Sequence, residues 1–203
     1  MFLERNTVEV LVNNAAAAPE LKCLTDLTAL DYQRTFSLNV YVPYRLMQAA
    51  VRSMKLGGSG TIVNICSLAG RRAIRNAALY CSSKFALRGL TESIAQEVDY
   101  WWHKEWAGHE PSETCDHLMK WCPIKVFSVS PGGMTTQMRQ DLFKDAAKQQ
   151  NPAFVAQVVV DAIAGRIPVG QGEDLVVRQG EYAIVPREQW VGITLNPGPA
   201  VQV

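Results

Sequence analysis

The chain has 203 residues, 48% of them hydrophobic, and its 20 Lys and Arg nearly balance 19 Asp and Glu for a formal net charge of +1. That composition excludes a disordered chain and leaves no electrostatic footprint for nucleic acid. No apolar run reaches the roughly 18 residues of a membrane span.

The first residues lack the basic stretch, apolar run and small-residue cleavage site of a secretory signal. The five cysteines, at 23, 66, 81, 115 and 122, are odd in number and form no CxxC pair. Reduced thiols in a cytoplasmic protein fit this better than a disulfide framework. The length suits one domain over 1–203.

Val8 to Val12 is a short β-branched run stopped by Asn13-Asn14, and it reads as a buried strand. From Asp31 to Met54 apolar residues recur every three or four positions, which predicts a long amphipathic helix with a kink or break at Pro43. After the glycines at 57, 58 and 60, Thr61 to Cys66 reads as a second strand and Ala77 to Val98 as a helix. Ile124 to Ser130 is a third strand, running into Pro131-Gly132-Gly133. Gln137 to Gln150 is amphipathic and helical, and a further helix opens at Asn151-Pro152 and runs through Ala164. Asp174 to Arg178 and Tyr182 to Val185 are further strands. Strands alternating with helices imply crossover units and a mainly parallel sheet in an α/β fold.

The stretch 99–121 breaks this rhythm, with four of the five tryptophans and all three histidines, and reads as an insertion. His103, His109, Cys115, His117 and Cys122 carry zinc-type donors, but their spacing matches no common zinc pattern. A surface elaboration near the site rim or an oligomer contact is the expectation, with no metal.

In a parallel sheet, ligands sit beyond the carboxyl ends of the strands. Asn13-Asn14-Ala15-Ala16, Ser67 and Ser130 to Thr135 each follow a strand there. The next helix carries Tyr80 and Lys84, four residues apart and therefore on one face. A phenol is a poor base at neutral pH, and a neighbouring ammonium lowers its pKa. Such a tyrosine can pass a proton to or from a substrate oxygen that Ser67 also contacts. Taken singly, Ser67 reads equally as a turn serine, Asn39 as a solvated helical residue and Thr135 as a helix cap. Cys66 and Cys81 read as small buried fillers.

Taken together, Leu11-Val12-Asn13-Asn14-Ala15, Asn39, Ile62 to Ser67, Tyr80-x-x-x-Lys84 and Ser130-Pro131-Gly132 resemble the short-chain dehydrogenase/reductase family in order and spacing from residue 8 to about 165. The resemblance implies a Rossmann-like doubly wound parallel sheet and catalytic roles for four residues. Tyr80 would be the general acid/base, Lys84 the pKa-lowering ribose ligand, Ser67 the substrate-orienting hydroxyl and Asn39 the holder of a relay water. It implies NAD or NADP as cofactor, contacted by Asn14, Ala15, Tyr80, Lys84, Pro131, Gly132 and Thr135. It also implies a substrate lid near Gln137 to Lys148 and a homodimer or homotetramer. The substrate would be a small alcohol or carbonyl compound. Arg71, Arg72 and Arg75, in the loop after Ser67, would favour an acidic substrate or stand solvated.

Two departures accompany the resemblance. Ala16 stands where the family has glycine, which would strain the backbone if positive φ were needed. The glycine-rich turn that receives the cofactor diphosphate has no counterpart before Val8, and Gly57 to Gly60 is a turn at the opposite sheet edge. We therefore expect a partial Rossmann-like domain, truncated at its N-terminal half, with β-branched Val8 to Val12 as a bare sheet edge. An alternative is an inactive remnant kept as an oligomerisation or interaction module.

Overall fold

The computed structural model describes residues 7–105, 123–134 and 150–187. They build a five-stranded sheet: β1 (Val10–Asn13), β2 (Gly60–Ile65), β3 (Ile124–Pro131), β4 (Asp174–Arg178) and β5 (Glu181–Val185). The strands lie in sequence order, with β1 through β4 parallel and β5 antiparallel to β4. β1 starts two residues later than its apolar pattern suggests, because the Val8 amide bonds the Ser53 hydroxyl at 2.9 Å. Among the described residues β1 is one sheet edge, and its apolar run is not the buried strand it suggested: Val10 and Val12 are 45% and 41% exposed because no strand covers that side. The sequence did not show the β4–β5 reversal as a tight hairpin. Gln179 and Gly180 both take positive φ, 52° and 83°, as a two-residue turn matched to strand twist requires.

The Asp31–Met54 helix divides as Pro43 foretold. It consists of α1 (Ala29–Phe36), a π-helical turn over Ser37–Tyr41 and α2 (Val42–Gly57). Pro43 has no N–H to give the carbonyl four residues back, at Asn39, so the preceding turn widens and Val42 reaches Ser37 instead. A Thr28–Asp31 capping box starts α1.

The helix after Ser67, α3 (Ala78–Glu105), runs seven residues past its expected end at Val98. Trp101 packs partly buried against the core, with Lys55 Nζ 3.8 Å from its ring centre, so the apolar stripe had reason to continue. The first part of the 99–121 stretch is thus helix, and 106–122 lie outside the described residues. So do residues 137–149 of the helix expected over 137–150, the lid at 137–148 with them, Thr135 and four of the five zinc-type donors. Gln150 is described and bridges Met134 as β structure instead of continuing a helix, and for His103 only the backbone is described. Among the described residues no group of His, Cys, Asp and Glu could hold a metal, and no helix is long and apolar enough to cross a membrane.

Alternating residues of each strand enter two cores on opposite faces. Val63, Ile65, Phe127, Val129, Leu175 and Val177 pack on α4 (Pro152–Ile163) through Val155, Val158, Val159 and Ala162. Ile62, Ile124 and Val126 pack on Met47, Ala50 and Met54 of α2 and Ala95 and Val98 of α3. This second face turns polar toward the carboxyl end of the sheet. Asn13, Asn64, Ser128 and Asp174 are register partners across four strands, and all are buried. Asn13 Nδ2 donates to Asn64 Oδ1 at 2.7 Å, Asn64 Nδ2 to Thr91 Oγ1 at 2.8 Å, and Ser128 Oγ to Asp174 Oδ1 at 2.7 Å.

Candidate active site

Beyond that polar row, the strand ends gather the residues singled out from the sequence. Ser67 lies two residues past the end of β2 and caps the 3₁₀ turn Leu68–Gly70, its Oγ accepting the Ala69 N–H at 3.1 Å. That leaves the hydroxyl proton free to point elsewhere. Burial pushes the Tyr80 phenol above its ordinary value, the Ser67 hydroxyl pulls it back, and the Cys66 and Cys81 thiols add to the rise.

Lys84 lies one helical turn after Tyr80, with Nζ 5.9 Å from the phenol ring centre. It is 2% exposed, and the ammonium donates to the Ile65 carbonyl at 2.9 Å. Burial lowers its pKa, and Cys66 opposes this. On balance burial holds the Tyr80 phenol above its ordinary value, with the Ser67 hydroxyl opposing it.

Asn39 also departs from the simplest expectation. Its side chain is fully buried in the π turn and spans two segments. Oδ1 accepts the Ala17 N–H and Nδ2 donates to the Ala17 carbonyl, both at 2.7 Å, while Nδ2 also donates to Ser83 Oγ at 2.9 Å. With both amide protons committed, the side chain has no donor left for a water. It ties the loop after β1 to α3 close to Tyr80, whose carbonyl accepts the Ser83 hydroxyl at 2.8 Å.

Asn14 and Ala15 stand exposed at the end of β1, while at the end of β3 Pro131 is buried and Gly132 half-buried. Ala16 keeps a negative φ, since Asn76 and Gln179 are the non-glycine residues with positive φ among those described, so its methyl costs no backbone strain. Arg71 does not stand solvated in its loop. It turns inward to Asp174, which needs a cation because it is fully buried. Arg72 and Arg75 remain exposed.

Sequence reasoning passed over two residues that shape this site. A Cβ on Gly70 would lie 2.9 Å from the backbone carbon and oxygen of Lys84, so only glycine lets the Ser67 turn rest on α3 there. Gln150 is buried, with Nε2 3.1 Å from the Val177 carbonyl and its N–H 3.0 Å from the Gly133 carbonyl, so residues 134 and 150 meet beside Gly132. The Ser67-Leu68-Ala69-Gly70 string carried a signal for the first, while nothing local marked Gln150.

Residues 3–102 match the family model for short chain dehydrogenase. The chain is 27% identical over 197 residues to a 3-alpha-(or 20-beta)-hydroxysteroid dehydrogenase of Mycobacterium tuberculosis, covering 95% of this chain and 67% of that protein. It is 31% identical over 165 residues to L-xylulose reductase of Bos taurus, covering 81% of this chain and 54% of the reductase. Among solved structures, a 4-hydroxyisoleucine dehydrogenase mutant complexed with NADH and succinate superposes with a TM-score of 0.70 at 23% identity, over 88% of this chain and 70% of that one. An E. coli oxidoreductase gives 0.67 at 21% identity, over 86% and 66%. The motif order, the parallel sheet and these likenesses agree: the chain belongs to the short-chain dehydrogenase/reductase family of oxidoreductases, with a Rossmann-like fold.

Proposed function

We propose that this chain carries the proton-transfer site of an NAD(P)-dependent enzyme that interconverts an alcohol and a carbonyl compound. The observation that carries the reading is the buried Lys84 ammonium, held on the Ile65 carbonyl one helical turn from Tyr80, at the carboxyl edge of the parallel sheet where Ser67 caps the turn after β2. A substrate oxygen meeting both hydroxyls would accept the phenol proton while Ser67 holds its second lone pair. In the oxidative direction the phenol oxygen takes that proton back. A phenol pushed above its ordinary value stays protonated at neutral pH, the state that carbonyl reduction needs.

The residues present fit the nicotinamide end of such a cofactor. Lys84 offers a fixed ammonium, Tyr80 a phenol, and a Cβ on Gly132 would meet only ordinary contacts, the nearest 3.5 Å away, so the strand end can be approached closely. Asn14, Ala15, Pro131 and Gly132 would line it, with Thr135 following, and a bound nicotinamide supplies or receives the hydride. Asn39 acts in this reading by holding the β1 loop and α3 in register.

Titration with NADH and with NADPH, followed by nicotinamide fluorescence, tests the reading. Saturable binding, with turnover of a carbonyl panel lost in Tyr80→Phe and binding kept, is expected; undiminished turnover in that variant would remove Tyr80 from the mechanism.

We also propose that α2 and α3 pair with a second copy of the chain, as a homodimer or half of a homotetramer. Tyr44 and Leu46 of α2, Phe85 of α3 and Tyr41 before α2 are 40–56% exposed, an apolar surface a monomer has little reason to show. Light scattering on Tyr44→Glu and Phe85→Glu tests this, with a drop to monomer mass expected. This surface would serve equally in the alternative of an inactive interaction module, for which absence of any cofactor binding is the discriminating result.

A further inference from the structure

The 3₁₀ turn after Ser67 is anchored at both ends of its arc. Within the turn, Gly70 N–H bonds the Ser67 carbonyl at 2.8 Å and Arg71 N–H bonds the Leu68 carbonyl at 3.0 Å, so residues 67–71 move as one unit. On one side Gly70 rests directly on the Lys84 backbone. On the other, Arg71 reaches a residue 103 positions away: Nε donates to Asp174 Oδ2 at 2.6 Å, and Nη2 lies 2.5 Å from the same oxygen. The Asp174 side chain is fully buried and that of Arg71 is 8% exposed. Asp174 Oδ1 is held by Ser128 Oγ at 2.7 Å, and both residues sit in paired strands, so the acceptor is rigid.

We propose that the Arg71–Asp174 ion pair is a positioning device for Ser67, holding the turn so that the serine hydroxyl meets the Tyr80 phenol. The pair touches neither hydroxyl. It acts through the backbone of the turn, whose second anchor on Lys84 is mere packing and resists sliding poorly. A directional, desolvated arginine–carboxylate contact does resist it, because any displacement leaves two buried charges apart. Ser67 Oγ accepts the Ala69 N–H, so the position of its oxygen follows the turn's placement. The inference rests on the reading of Ser67 and Tyr80 as the proton-transfer pair.

The experiment reads the phenol itself. The full chain is produced with 3-fluorotyrosine, and the ¹⁹F resonance absent from Tyr80→Phe reports Tyr80 as pH rises. Burial, Ser67, Cys66 and Cys81 set its midpoint. Ser67→Ala calibrates loss of the serine hydroxyl's pull on the phenol. Arg71→Gln and Asp174→Asn should each move the midpoint upward by most of the Ser67→Ala increment, and should add nothing in a Ser67→Ala background. Arg71→Lys should recover part of the effect.

If the single variants do not fold, the Arg71→Met/Asp174→Leu double variant leaves no orphaned charge and serves instead. A folded variant with an unmoved midpoint, or a shift that adds to that of Ser67→Ala, overturns the proposal. Because the titration needs neither cofactor nor substrate, it can succeed where the dehydrogenase reading fails, and the reverse.

Discussion

Lys84 Nζ donates to the carbonyl oxygen of Ile65 at 2.9 Å, so the α3 ammonium is fastened to the last residue of β2, just before Cys66 and Ser67. One hydrogen bond thereby couples the Tyr80 helix to the Ser67 strand. Lys84→Met keeps the stem's volume and removes the donor, leaving a buried carbonyl unpaired. The expected cost is about 1–2 kcal/mol, reduced from the full penalty because a desolvated charge is relieved at the same time. Urea unfolding at neutral pH measures it, and equal stability of the two proteins would show the bond to be idle.

Asn39 joins Ala17 to Ser83 through three hydrogen bonds. Asn39→Ala should destabilise by about 2–3 kcal/mol, since it orphans both Ala17 backbone groups, whereas Ser83→Ala should cost about 1 kcal/mol. Denaturant midpoints for the pair check the ordering. A cost for Asn39→Ala no larger than that of Ser83→Ala would rule out the clamp.

Gly70 and Gly89 make opposite predictions for the same substitution. A methyl on Gly70 meets the Lys84 backbone at 2.9 Å, so Gly70→Ala should cost about 1–3 kcal/mol and displace the Ser67 turn. Nothing lies within 4 Å of a Cβ on Gly89, within α3, so Gly89→Ala should stabilise by about 0.5–1 kcal/mol through helix propensity. Thermal melts of both variants side by side would expose a failure of either sign.

Burial pushes the Cys66 thiol up to about 12 from an ordinary 9.0, with Asp174 adding to the rise. Above pH 9 the unfolded chain gives up this proton while the folded chain keeps it, so the unfolded state binds fewer protons and stability falls as pH rises toward 12. The slope from this one group approaches roughly 1.4 kcal/mol per pH unit. Cys66→Ala removes it, so the stability advantage of the unaltered protein over that variant should shrink between pH 9 and its alkaline limit. A pH-independent difference would mean that Cys66 ionises as freely folded as unfolded.

Much of the fold could be read from local pattern. Val8 to Val12, Thr61 to Cys66 and Ile124 to Ser130 are apolar runs with polar stops, a pattern that marks all three as strands but that only the second and third keep covered on both faces. The split at Pro43 followed from a missing N–H. The end of α3 was misjudged at Val98 because Asp99 and the crowded tryptophans looked like a new segment; Trp101 in fact finds a core and a cation in Lys55, contacts that sequence proximity does not reveal.

The site divides in the same way. Tyr80 and Lys84 share a helical face because four residues make about one turn, and that much the sequence alone determined, along with the strand-end placement of Asn14, Ser67 and Pro131. What only tertiary structure decided is where each polar group finds its partner. Strand register set Asn13, Asn64, Ser128 and Asp174 in one buried row. That row turned Arg71 inward to Asp174, and close packing sent the Lys84 ammonium to Ile65. Periodicity tells which face a residue occupies; the desolvation of a charge, and hence its partner, depends on chain segments up to a hundred residues away.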